Sequence, residues 1–111
     1  MSAMTRVRAD PVTSIPNDLF VEYYSARATS AFILTECMSV SADGNAFPGA
    51  GNLFNDDQAA GWKRVVDAVH AKGGRIFAQL FHGGRTVHPD FIGGGETLSS
   101  SAIAINGTVH T

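Results

Sequence analysis

Residues Arg75 to Arg85, RIFAQLFHGGR, constrain the fold more than any other stretch of the chain. Ile76 to Phe81 form an apolar run broken only by Gln79, and His82, two glycines and Arg85 close it. A short run of this kind, entered from a helix that ends on glycine, reads as a strand buried on both faces. An amide inside such a strand needs a hydrogen-bonding partner. Ligands of α/β folds gather at the C-terminal ends of the strands, which is where Gln79 stands. Position alone leaves two equal readings for it, a bond to a neighbouring loop carbonyl or a bond to a ligand.

The preceding chain supplies the elements that such a strand requires. Met1 to Thr5 is mildly apolar and reads as the closing residues of a strand, and Arg6 to Pro16, with Pro11 and Pro16, reads as a loop. Asn17 is placed as an N-cap with Asp18 in the first turn, and Leu19, Phe20, Tyr23, Tyr24, Arg27 and Ala28 recur at helical spacing. This predicts a helix reaching about Ser30. Phe32 to Met38, FILTECM, predicts a second buried strand with Glu36 as its polar intruder, and Ser39 to Phe54 a long loop. Asn55 and Gln58 form a capping-box pattern ahead of Ala59, Trp62, Val65, Val66 and Val69, which share one helical face. Gly73 supplies the stop for this helix. Val87 to Thr111 has neither period and reads as a surface excursion. Helices between buried strands predict a parallel sheet with right-handed crossovers. Three such strands leave open edges, which is not a comfortable finished domain.

Composition narrows the function classes. The 111 residues are 44% hydrophobic and 16% charged, a globular balance, and the net charge of −2 gives no footprint for nucleic acid or anionic lipid. A single cysteine, Cys37, builds no disulfide framework, so a reducing, cytoplasmic setting is expected. The opening residues MSAMTRVRAD lack an apolar signal core, and no run of apolar residues is long enough for a membrane span. No GxGxxG follows a strand, no GxxxxGK[ST] occurs, and Gly93 to Gly95 lack a strand–helix frame for phosphate. His82 and His88 have no cysteine or carboxylate cluster to complete a metal site, so none is expected. Glu36 reads either as a general base or as a structural partner of Arg27 or Arg85. Cys37 reads as a small buried hydrophobe.

Four pieces then carry a family resemblance: AMTRVRA at Ala3 to Ala9, EYYSARATSAFILTEC at Glu22 to Cys37, FPGAGNLFNDDQAAGWKRVVDAVHAKGG at Phe47 to Gly74, and IFAQLFHGGRTVHP at Ile76 to Pro89. In this order and spacing the chain resembles the N-terminal third of the Old Yellow Enzyme family, FMN-dependent NAD(P)H oxidoreductases and ene-reductases. The resemblance implies a partial (β/α)8 TIM barrel within the α/β class, from the end of strand 1 through strand 3 and the following loop. It implies FMN at the barrel mouth and NAD(P)H as reductant. The substrate would be a small electron-poor alkene or carbonyl compound.

Residue by residue, Thr5 matches the threonine that bonds the flavin carbonyl edge and tunes its potential. Gln79 matches the glutamine on the pyrimidine side, which tips its two readings toward the ligand. Ala3, Met4 and the backbone near Cys37 match flavin-lining positions, and Phe81 and Phe47 match the walls of the substrate pocket. Ala3 replaces a common proline and Cys37 a common glycine or alanine. A complete barrel takes about 250 residues. The family's substrate-anchoring His/Asn pair, its tyrosine proton donor and its phosphate loops lie beyond the match, so no catalytic residue is expected here. The expected domain is residues 1–111 as an N-terminal fragment of an FMN-binding barrel. Competing readings are a non-catalytic barrel fragment acting through a partner, and several copies assembling a homo-oligomer that holds flavin.

Overall fold

The computed structural model describes residues 1–108. Helix α1 spans Asp18–Ser25, strand β1 Ile33–Ser39, helix α2 Asp56–Ala71 and strand β2 Ile76–Phe81. The two strands pair in parallel, with α2 as the crossover between them. Short 3-10 turns lie in the loop after β1 (Ala42–Gly44) and after β2 (Gly84–Thr86 and Pro89–Ile92). Met1 to Thr5 does not form a regular strand, but its first residue lies along β1. Leu34 N–H donates to the Met1 carbonyl at 3.0 Å, while the preceding Ile33 N–H turns the other way to Arg75 at 2.7 Å.

Both helices begin where local chemistry places them. The Asn17 carboxamide accepts from Leu19 N–H at 3.1 Å, and Asn55 accepts from Gln58 N–H at 2.9 Å. The return arm of the box is shifted by one residue. Gln58 Oε1 accepts from Phe54 N–H, and its Nε2 reaches the Thr13 carbonyl, so one buried side chain ties the helix start to the N-terminal loop. Helix α1 ends at Ser25 instead of about Ser30. The Arg27 guanidinium takes the Tyr23 carbonyl at 2.7 Å, and Arg27 N–H moves to Tyr24, so the chain leaves the helix through i→i+3 bonds.

The core lies between the helices and one face of the sheet. Phe20 and Tyr24 from α1 meet Trp62, Val65 and Val69 from α2 over Ile33 and Met38 of β1. Phe20 stands edge-on to Trp62 at 5.5 Å, Tyr24 is 5.7 Å from the same ring, and the indole N–H donates to the Gly51 carbonyl. Ala59, predicted on the buried face, is exposed, and Gln58 and Gly61 take its place. An Arg64–Asp18 ion pair links the helices at the surface.

Strand β2 departs from expectation. Phe77 is 57% and Leu80 63% exposed, so this strand is not buried on both faces. It is one of the two strands of the sheet, and among the described residues no further strand pairs with its outer edge. The apolar run records a strand suited to cover on both sides, and the described chain supplies only part of that cover.

Gly74 is the tight point between α2 and β2. A Cβ there would lie 2.8 Å from Val69 Cγ1 and 2.9 Å from the Ala28 carbonyl oxygen, so backbone as well as side chain would have to move. Gly74→Ala should therefore destabilise the fold by about 1–3 kcal/mol, read as a lower urea midpoint with unchanged slope. A neutral substitution would show that the Ala28 backbone can yield there without cost.

Candidate functional site at the strand ends

Strand β1 carries one residue too many for its partner. Leu34 lies opposite Phe77, but the next aligned pair is Cys37 with Gln79, so three steps on β1 match two on β2. This is a β-bulge at Thr35 and Glu36. The Thr35 hydroxyl accepts from Gln79 N–H at 3.0 Å and donates to the Glu36 carbonyl at 2.9 Å, standing in for a missing ladder bond. Strict alternation would put Ile33 and Met38 on opposite faces. The bulge lets both enter the helix-side core and sets Cys37 beside Gln79 on the other face.

Thr5 joins that face. Its Oγ1 lies 3.0 Å from Cys37 Sγ, and either atom can donate. Cys37 is buried, Gln79 and Ala3 are half-buried, and Thr5 and Met4 are exposed. The Gln79 carboxamide makes no hydrogen bond to protein among the described residues. Three of the positions that the resemblance assigns to the flavin thus share one face, with the Thr5 hydroxyl against the Cys37 thiol and the Gln79 amide without a protein partner among the described residues. Phe47 and Phe81 also meet, with ring centroids 5.9 Å apart at 38°. Beyond Phe81, His82 Nε2 lies 3.7 Å from Asp43 and its Nδ1 accepts from Gly84 N–H at 3.0 Å. The Ser41 hydroxyl, and secondarily a backbone N–H and His82, hold the Asp43 carboxyl below its usual range. These contacts tie the loop after β1 to the end of β2. Among the described residues, no group of three or more potential ligands can hold a metal ion, and no helix is long and apolar enough to cross a membrane.

Glu36 is 1% exposed and pairs with neither arginine proposed from the sequence. Arg27 is taken by the Tyr23 carbonyl and stacks over the Tyr23 ring at 3.8 Å. Arg85 bonds Ser99 Oγ and the Ile103 carbonyl. The partner is Tyr24, whose hydroxyl donates to Oε2 at 3.3 Å and accepts from Glu36 N–H at 2.9 Å. Burial pushes the carboxyl up to about 7, against opposing contributions from the N–H groups of Arg6 and Gly51, the Tyr24 hydroxyl and the Arg6 charge. Oε1 itself has no partner at hydrogen-bond distance. Burial likewise raises the Tyr24 hydroxyl. The available sequence signal was Tyr24 itself, a hydroxyl on the apolar stripe of α1 that must find a polar partner once buried. A cleft of about 330 Å³ opens between the Arg6–Arg8 segment and α1, with Glu36 in its wall.

The sequence model of the NADH:flavin oxidoreductase / NADH oxidase family matches residues 1–106. A flavin oxidoreductase, hxnT, of Emericella nidulans is 45% identical over 94 residues, which cover 84% of this chain and 24% of that protein. The structure of the old yellow enzyme homologue from Zymomonas mobilis superposes with a TM-score of 0.93 at 36% identity, covering 100% of this chain and 31% of that one. Morphinone reductase in complex with tetrahydroNAD gives 0.92 at 38% identity, covering 97% of this chain and 30% of that one. The chain therefore spans about a quarter to a third of the length of these relatives. Its fold is the corresponding part of a (β/α)8 barrel.

Glu36 makes stability depend on pH. Its folded-state affinity for a proton, near pH 7, exceeds that of an ordinary carboxyl at 4.5, so the folded chain holds the proton after the unfolded chain has released it. Stability should fall by up to about 3 kcal/mol as pH rises from 4.5 to 7 and then level off. Urea midpoints across this range measure it. Glu36→Gln should remove that part of the slope, and an unchanged slope in the variant would assign the titration to other groups.

Proposed function

Because the chain belongs to the NADH:flavin oxidoreductase / NADH oxidase family, we propose that residues 1–111 are the N-terminal part of an FMN-binding barrel domain and carry one side of its flavin site. The observation that carries this reading is the convergence of Thr5, Cys37 and Gln79 on the inner face of the strands at their C-terminal ends. A half-buried amide without a protein partner and an exposed hydroxyl suit the polar edge of a flavin ring. When bound, FMN supplies hydride chemistry, accepting from NAD(P)H and delivering to a small electron-poor alkene or carbonyl compound.

The chain's own residues hold and exclude. Gln79 and Thr5 orient the ring by hydrogen bonds, and Thr5 adjusts its electron demand by donating to the carbonyl edge. Ala3, Met4 and Cys37 line the ring plane, with Cys37 filling space that a smaller residue would leave open. The Phe47–Phe81 pair forms an apolar wall that keeps water from the substrate side. None of these side chains is assigned the proton transfer that completes alkene reduction. A cytoplasmic setting fits a single buried thiol.

The test is a visible spectrum of the purified chain after addition of FMN and desalting. Retained flavin with a shifted band is expected, and Gln79→Ala should weaken its binding about tenfold, because buried flavin polar atoms lose a partner. A colourless sample, or an affinity indifferent to Gln79, would remove this part of the site from the isolated chain.

The exposed β2 edge favours a second reading, a non-catalytic piece that works by association. Phe32, Phe77 and Leu80 are all more than half exposed, and β2 carries no charged residue to discourage pairing. On this reading the chain forms a homo-oligomer, and sedimentation should show mass rising with concentration. Phe77→Lys, which puts a charge on that edge, should return it toward a monomer. A wild-type monomer at every concentration would exclude it.

A further inference from the structure

The flavin reading leaves the buried Glu36 carboxylate without a task. Three observations tie it to the segment that carries Thr5. Its strand neighbour Cys37 touches Thr5 Oγ1 at 3.0 Å, so the bulge that places Glu36 also seats Thr5. The Glu36 Oε1 atom is buried without a hydrogen-bond partner, while the Arg6 N–H and the Arg6 charge act on the same carboxylate. Val7, directly after Arg6, is held at φ 48°, where a β-branched residue stays only if its surroundings impose it.

We propose that Glu36 is a positioning residue whose ionised carboxylate draws the Arg6 backbone toward β1 and so sets where the Thr5 hydroxyl stands. Other groups facing the carboxylate are already engaged. From α1, Tyr24 gives its hydroxyl to Oε2, Arg27 is bound to the Tyr23 carbonyl, and Glu22 and Tyr23 share the cleft. From the N-terminal segment, the Arg8 guanidinium bonds the carbonyls of Arg6 and Val7. Among the described residues, the loop after β1 contributes the Gly51 N–H to the carboxylate. Arg6 is thus the cation whose charge answers Glu36, and its guanidinium sits over the Tyr23 ring at 5.6 Å. Protonation of Glu36 removes the attraction and leaves the strained Val7 turn without that anchor.

The placement of Thr5 stands on this geometry, and only its consequence for FMN rests on the function proposed above. The test is amide hydrogen exchange of residues 5–9 in the 111-residue chain from pH 6 to 8, corrected for intrinsic rates, with FMN affinity measured alongside. In the wild type, protection should rise about fivefold across pH 7, the scale of one ion-pair contact near a protein surface. Glu36→Gln, close in shape but uncharged, should lose that rise, and Glu36→Asp should keep it at a shifted pH. If FMN binds, its affinity should follow the same curve. Protection independent of pH in the wild type, or an equal rise in Glu36→Gln, overturns the proposal whatever FMN does. A Glu36-dependent rise in a chain that binds no FMN supports the positioning role and counts against the flavin reading instead.

Discussion

The bulge in β1 depends on one hydroxyl. Without the Thr35 side chain, Gln79 N–H would face an interrupted ladder at the point where the strands change register. With it, an extra residue is absorbed, and the faces of β1 are reassigned within a single strand. Everything proposed for the site follows from that reassignment, because it sets Cys37 beside Gln79 and leaves Met38 in the helix-side core. A polar residue in a buried strand is here a structural part of the ladder. It is not an imperfection in an apolar run.

The aromatic cluster supports the same region from behind. Tyr24 packs against Phe20 and Trp62 while its hydroxyl serves both the Glu36 carboxylate and the Glu36 N–H. One side chain therefore fills the core and satisfies two polar groups of the bulged strand. A buried carboxylate is expensive unless paired. Here its cost appears as a carboxyl that favours its proton near neutrality, and the nearby Arg6 N–H and charge lower that cost. The core and the candidate site are thus joined through a titratable group.

Much of this was legible in the residues. Asn17, Asn55 and Gln58 announce helix starts because capping is local chemistry, and the Trp62, Val65, Val69 face follows from spacing alone. Gln79 stood out because an amide in an apolar strand demands a reason. What the residues hid was relational. The bulge is an excess of one residue measured against β2, so no window on β1 alone reveals it. The early end of α1 depends on a guanidinium reaching back to the Tyr23 carbonyl, which competes with the helix ladder in a way that propensity does not express. The exposure of β2 has the same character, since an apolar strand specifies that it wants cover without specifying what provides it. Phe47 and Phe81 lie far apart in sequence, and the alignment with a family brought them together before any spacing rule did.

The free edge of β2 also has a consequence in time. A strand edge of this composition does not wait indefinitely, because its unpaired N–H and C=O groups and flanking Phe77 and Leu80 bind whichever suitable edge arrives first. Pairing with another copy is second order in protein, whereas pairing with a strand of the same polypeptide is first order. Dilution therefore favours completion within one molecule, and crowding of nascent copies favours the mispaired assembly.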